Sequence, residues 1–179
     1  MTSQTFPPVS VSRTIQAPVQ MLFGVLTHAV NHPLIDGSGT VREAAGDVVL
    51  TGVGDVFVMR MHNDEMGDYE MINHVVEFEP NRRITWEPVM IADEAEPQAG
   101  LGRETYHRWS YQFTPVDEGS TLVTHTYDCS GSPEGPRQAG RGEQAGRGER
   151  WLPGMTATME KLAARSAGRI QLPDEARFG

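Results

Sequence analysis

Three things are scarce in this chain, and each scarcity excludes something. There is one cysteine, Cys129, among 179 residues, so an internal disulfide is impossible. Basic residues are outnumbered, 15 Lys and Arg against 24 Asp and Glu, giving a formal charge of −9 and a pI near 5.1. That balance argues against nucleic acid, which needs a basic face, and against an anionic membrane surface. No apolar run approaches the length of a membrane span. The start, Met1-Thr-Ser-Gln-Thr-Phe-Pro-Pro8, has no basic n-region and no apolar h-region, so no signal peptide is expected. These exclusions lead to the expectation of a cytoplasmic protein without membrane insertion. The length suits one domain with a substantial core.

What is abundant is alternation. Thr105, His107, Trp109, Tyr111 and Phe113 alternate with polar residues, as do Val123, His125, Tyr127 and Cys129. A period of two marks half-buried strands. Between the runs lies Asp117-Glu118-Gly119, a three-residue loop that fits a type I turn closed by a glycine bulge. If Val116 faces Ser120, then Phe113 faces Val123, Tyr111 faces His125, Trp109 faces Tyr127 and His107 faces Cys129. Both strands then put their aromatics and histidines on one face. A slip of one residue would break that agreement. Two imidazoles and a phenol among large aromatics read as the wall of a pocket.

The rest of the chain supplies the partners of this wall. Residues 1–8 read as a leader. Val9 to Gln16 is β-branched and alternating, a first strand. Pro18 suits a helix first turn, and Val19, Leu22, Phe23, Leu26 and Val30 recur at helical spacing, so a helix is expected from Pro18 to Thr27. A short second helix is expected over Asn31 to Leu34. Asp36-Gly-Ser-Gly39 is a turn cluster; no leading strand, lysine or helix start supports a phosphate cradle. Thr40 to Ala44 and Asp47 to Thr51 are expected to pair around Gly46. Asp55 to His62 puts Phe57, Met59 and Met61 on one face. Tyr69 to Glu79 is a long strand with Ile72, His74, Val76 and Phe78 expected inward. Arg83 to Met90 returns with Ile84, Trp86 and Pro88 inward. Residues 92–102 form an acidic loop. Residues 130–150 are rich in Gly and Arg, and Gln138-Ala-Gly-Arg-Gly-Glu143 recurs as Gln144-Ala-Gly-Arg-Gly-Glu149, a slipped duplication in a loop. Trp151 to Gly168 is a helix with Leu152, Met155, Met159, Leu162 and Ser166 along one face. Residues 169–179 form a tail.

The expected fold is α+β. A curved, mostly antiparallel sheet of about seven strands wraps a long C-terminal helix, with a cavity between them, because the inner aromatics cannot all reach the helix. A single domain spans 9–168, with the 130–150 loop inside it. Val11-Ser-Arg-Thr-Ile-Gln-Ala-Pro18, Val76-Glu-Phe-Glu-Pro-Asn-Arg-Arg-Ile-Thr-Trp86, and Tyr111-Gln-Phe-Thr-Pro115 with Gly119-Ser-Thr-Leu-Val-Thr124 resemble the START-like (SRPBCC) superfamily with its helix-grip fold. That superfamily includes polyketide cyclases, lipid-transfer domains and the birch-pollen allergen group. The chain looks most like its polyketide cyclase/dehydrase and lipid-transport group. The resemblance implies acid–base chemistry without a bound cofactor, on a poly-ketone or reactive phenol.

Such chemistry needs a donor to polarise a carbonyl and a base for an acidic C–H or O–H. Imidazoles and phenols suit it near neutral pH. His107 and Tyr127 are diagonal neighbours in this register, roughly 7 Å apart, and form the expected acid–base pair. His125 lies roughly 13 Å from His107 along the strand; His125 or His74 is the expected carbonyl donor. If Trp86 lies beside Trp109, then His74, Pro88, His107 and Cys129 share one row. Trp86, Trp109, Tyr111, Phe57, Met59, Met155 and Met159 are the expected substrate-binding residues. The bland reading of each histidine is a hydrogen-bonded core residue, and of the methionines an adaptable core. No metal is expected: His74, His107 and His125 lack local ligand spacing and an acid placed to hold their rings. Cys129 reads as a buried thiol before a nucleophile. The expected function is a polyketide cyclase/aromatase-like enzyme, cyclising or dehydrating a hydrophobic or aromatic small molecule. Its alternatives are a non-catalytic carrier of a hydrophobic small molecule or lipid, and a partner-binding module. A homodimer is compatible with each.

Overall fold

Alternation and turn chemistry produce one continuous sheet. The computed structural model describes residues 7–91, 107–130 and 148–167. The element order is β1 (Val9–Ile15), α1 (Val19–Thr27), α2 (His32–Ile35), β2 (Val41–Ala44), β3 (Val56–Asn63), β4 (Gly67–Glu79), β5 (Arg83–Ile91), β6 (Arg108–Pro115), β7 (Thr121–Asp128) and α3 (Leu152–Ala167). The seven strands run β1-β7-β6-β5-β4-β3-β2, and every adjacent pair is antiparallel. The duplicated hexapeptide up to Arg147, the acidic loop, residues 1–6 and the tail lie outside the described residues. No helix among the described residues is long and apolar enough to cross a membrane.

The β6–β7 hairpin has the expected register. Phe113 faces Val123, Tyr111 faces His125 and Trp109 faces Tyr127. The Val116 amide donates to the Ser120 carbonyl at 2.9 Å, and Trp86 faces Trp109 on the next strand.

Apolar side chains of α1 and α3 close the inner face. Phe23 meets Phe78 and Phe113 edge-to-face, with centroids 5.4 and 5.6 Å away, a favoured ring geometry. Met155, Met159 and Leu162 of α3 are buried, at the helical spacing expected of them. The loop after α2 comes close to α3 at Gly37, where an added Cβ would overlap helix backbone. The Gly37 amide donates to the Thr158 hydroxyl at 2.9 Å, and that hydroxyl donates to the Gly154 carbonyl at 2.9 Å.

Two sequence expectations fail, each for a local reason. Asp47 to Thr51 does not pair with β2. Gly46 turns the chain at φ 106°, and the following backbone bonds instead to the end of α1, through Ala29 N to Val48 O and Leu50 N to Thr27 O. Strand β2 lies on β3. On β4, Ile72, His74 and Val76 are not inward. A bulge between Val75 and Glu77 inserts one residue, so Val75 and Phe78 both reach the core. A bulge shifts the period of two by one, and the N-terminal half of the strand shows its other face.

Candidate functional site

Tyr127 lies near the end of β7, the second strand from one edge of the sheet, and is 2% exposed. Its hydroxyl lies 2.5 Å from Nδ1 of His107, and the two rings stack with centroids 5.8 Å apart. The diagonal placement brings both polar tips together. Trp109 and Trp151 flank the phenol, at 4.6 and 5.6 Å between centroids. Arg150 lies 4.5 Å over the Trp151 ring. Gly148 packs on the Tyr127 ring, where an added Cβ would sit 3.4 Å from Cδ1.

The electrostatics of this pair follow from burial. Desolvation pushes the Tyr127 phenol well above its ordinary range, and Cys129 adds to that; Trp151 and Arg150 act the other way, favouring negative charge on the oxygen. Burial holds His107 below the usual imidazole value. At neutral pH both groups are therefore uncharged. Cys129 is buried, and desolvation followed by Asp128 pushes its thiol up. That leaves it a poor nucleophile.

A row of stacked rings leads away from this pair. Trp109 stacks on His125 at 5.4 Å, His125 on Tyr111 at 4.0 Å, Tyr111 on Trp86 at 5.8 Å, and Trp86 on His32 at 5.3 Å. Phe57 meets His32 and Trp86 edge-on. The expected binding residues Trp86, Tyr111, Phe57, Met59 and Met159 lie together in the main buried cluster, with Trp109 packed against it, while Met155 lies with Tyr127 and Cys129.

His125 corrects one expected role. Its Nδ1 lies 3.1 Å from the Ser110 carbonyl, which can only accept. Nδ1 therefore carries the proton and Nε2 holds a lone pair. Burial pushes its pKa down to about 4, so the second nitrogen stays unprotonated at neutral pH. His125 presents an acceptor, not a carbonyl donor.

His74 corrects another. It faces Val56 on β3 and Glu87 on β5, and Glu87 pairs with Arg108 at 2.8 Å on the outer face. Nε2 of His74 is buried with no hydrogen-bond partner among the described residues. It does not join His107, and the row with Pro88 and Cys129 does not form, because Pro88 lies opposite Asn73. A three-histidine metal site with His107 and His125 fails with it. Among the described residues no three His, Cys, Asp or Glu side chains are grouped to hold a metal.

His32 is the residue that sequence reasoning passed over. With His28 and Asn31 it caps the last carbonyls of α1: His28 Nδ1 to Gly24 O at 2.8 Å, Asn31 to Val25 O at 3.3 Å, and His32 Nε2 to Leu26 O at 2.8 Å. Helix ends leave such carbonyls unsatisfied. The cap swings the His32 ring onto Trp86. A cluster of donors just after a helix was the available signal; the ring contact had none.

Fold and site together define a helix-grip α+β protein with an imidazole–phenol pair on its inner face. The chain belongs to the polyketide cyclase/dehydrase and lipid transport family, whose profile matches residues 7–167. The uncharacterized protein Rv0088 of Mycobacterium tuberculosis is 30% identical over 123 residues, 68% of this chain and 48% of the relative. The chain thus spans about half the length of the curated relatives it matches. Among solved structures, protein CV1439 from Chromobacterium violaceum superposes with a TM-score of 0.62 at 15% identity, covering 90% of this chain and 98% of that one. DynU16, a protein in the dynemicin biosynthetic locus, gives 0.57 at 16% identity, over 90% of this chain and 47% of DynU16. At such identities these two structures speak for the fold.

Proposed function

We propose that the protein is a polyketide cyclase-like enzyme that enolises, and so cyclises or dehydrates, a hydrophobic aromatic ketone held between the sheet and α3. The observation that carries this reading is the short contact between His107 Nδ1 and the Tyr127 hydroxyl. A neutral His107 that accepts the Tyr127 proton at Nδ1 presents Nε2–H to a carbonyl oxygen. In one concerted step that proton passes to the carbonyl oxygen, Nδ1 takes the phenolic proton, and the Tyr127 oxygen takes the acidic C–H proton. The ketone becomes its enol, Tyr127 ends as a phenol, and the imidazole has exchanged tautomer. Concert matters because burial disfavours a free phenolate. Trp151 and Arg150 support the charge that develops on the oxygen.

A non-catalytic carrier is the second reading. It is favoured by the apolar side chains of Phe57, Met59, Met155 and Met159 on the same interior. One experiment separates the two. With 2-tetralone as an enolisable probe in deuterated buffer, NMR follows loss of the acidic C–H signals. The enzyme reading requires exchange above the buffer rate that falls in Tyr127→Phe and His107→Gln. Exchange at the buffer rate despite measurable binding leaves the carrier.

A further inference from the structure

Loss of one electron turns a phenol O–H into a strong acid. A buried tyrosine therefore gives up an electron only where a base stands ready for its proton, because a buried cation is costly. Tyr127 has that base. Nδ1 of His107 lies 2.5 Å from its hydroxyl, and burial holds that imidazole below its usual value, so the lone pair on Nδ1 is free to accept. His107 is half-buried, so the proton it takes moves charge toward water. Tyr111 is placed differently. Its histidine neighbour, His125, lies flat on its ring at 4.0 Å with the planes 12° apart, and Nδ1 of His125 is bound to the Ser110 carbonyl. A ring nitrogen accepts in the plane of its own ring, so a stacked imidazole does not take a phenolic proton.

The neighbours decide where an oxidising equivalent comes to rest. Trp86, Tyr111, His125 and Trp109 form a row, each ring 4.0 to 5.8 Å from the next, and Trp109 lies 4.6 Å from Tyr127. Rings this close exchange electrons, so a charge made on Trp86 or Trp109 can travel to Tyr127. Trp151 also touches Tyr127, but Arg150 lies over its ring at 4.5 Å. A cation is drawn to an intact π-face and opposes positive charge on it. Cys129 lies in the same cluster. Burial pushes its thiol up, and a protonated thiol resists oxidation where a thiolate does not. Tyr127 is the ring of this cluster that can shed its charge as a proton.

We propose that Tyr127 and His107 form a one-electron redox site, in which an outer-sphere one-electron oxidant of high potential converts Tyr127 to a neutral tyrosyl radical hydrogen-bonded to His107. One electron passes from the phenol to the oxidant, directly or along the row of rings. The O–H bond breaks and its proton goes to Nδ1, leaving a tyrosyl radical, an imidazolium and the reduced oxidant. A hydroquinone closes the cycle: it gives one electron to the radical oxygen, Nδ1 returns the proton, and the hydroquinone releases its own proton to water as a semiquinone. The site needs the His107–Tyr127 contact but no bound ketone, so it is independent of enolisation.

Flash photolysis tests it. Light and a cobalt(III) quencher convert ruthenium tris-bipyridine to its ruthenium(III) form in solution, and transient absorption and freeze-quench EPR follow the protein radical. The parent should give a long-lived tyrosyl radical that hydroquinone removes. Tyr127→Phe should leave tryptophan radicals in its place. His107→Gln should slow tyrosyl formation roughly a hundredfold, the worth of a positioned proton acceptor. Should either variant fail to fold, the parent labelled with 15N-histidine decides: the radical should show coupling to an imidazole nitrogen by ENDOR. No tyrosyl radical in the parent, an undiminished one in Tyr127→Phe, equally fast formation in His107→Gln, a radical without that coupling, or one that hydroquinone leaves untouched overturns the site. Deuterium exchange of 2-tetralone without the radical leaves the enzyme reading and removes the redox site; the radical without exchange does the reverse.

Discussion

Nδ1 of His107 and the hydroxyl of Tyr127 meet at 2.5 Å, although the two residues lie diagonally across the β6–β7 pair. The hydroxyl is the only part of Tyr127 that Phe lacks, so Tyr127→Phe isolates the contact. Its expected stability cost is about 1 kcal/mol, the net worth of one hydrogen bond. Loss of proton exchange should be far larger, roughly a hundredfold or more, as for an acid–base group. Urea melts and NMR exchange rates measure the two. A variant that exchanges as fast as the parent removes Tyr127 from the chemistry.

Acid should destabilise the fold through His32 and His125. Both have folded pKa values pushed down to about 4 by burial, against an ordinary 6.5. Between those values the unfolded chain binds a proton that the folded chain refuses, so stability rises with pH across that window. Equivalently, it is lost as pH falls from about 6.5 and levels below about 4. Each histidine accounts for on the order of 3 kcal/mol over the whole window. Urea midpoints from pH 7 to pH 4.5 should fall steeply in the parent and less in His125→Phe. The same slope in both would show that His125 does not resist protonation.

Much of the sheet was legible because a short loop ties the register of one hairpin to a pattern of aromatics. Once Val116 faced Ser120, Trp109 and Tyr127 had to share a face. The long helix was legible for the same kind of reason: Met155, Met159 and Leu162 keep the helical period. His74 was not, because the extra residue of a bulge is invisible in a period of two, and everything N-terminal of it changes face. His32 was not, because its ring is placed by a hydrogen bond to Leu26, a contact set by the turn after α1. The acceptor role of His125 needed the position of the Ser110 carbonyl, which alternation does not encode.

Tyr111 should behave unlike Tyr127 when its hydroxyl is removed. That hydroxyl has no hydrogen-bond partner among the described residues, while the ring keeps its stacking on His125 and Trp86. Tyr111→Phe should therefore leave stability within about 0.5 kcal/mol of the parent, or raise it, since no internal hydrogen bond is broken. Thermal melts check this. A loss as large as that of Tyr127→Phe would mean the Tyr111 hydroxyl has a structural partner.

Gly37 should tolerate no side chain, for reasons of contact and not of backbone angle. A Cβ there would overlap the backbone of α3 at Thr158 N, Gly154 O and Ala157 C. Backbone atoms inside a helix cannot swing aside as a side-chain tip can, so either the loop or the helix must move. The loop carries Asp36, whose carboxylate binds the amides of Ser38 and Val41, and whose carbonyl accepts from Lys161 at 2.5 Å. Displacing it also breaks the Gly37–Thr158 hydrogen bond. Gly37→Ala should cost roughly 2–4 kcal/mol, in the range of overpacked sites. Thr158→Val keeps the shape, leaves the Gly37 amide unmet, and should cost roughly 1–3 kcal/mol. Because the two changes share one contact, their costs should fall short of adding in the double variant. Chemical denaturation of both single variants and the double variant measures this. Full additivity would show that the loop and α3 are held together elsewhere.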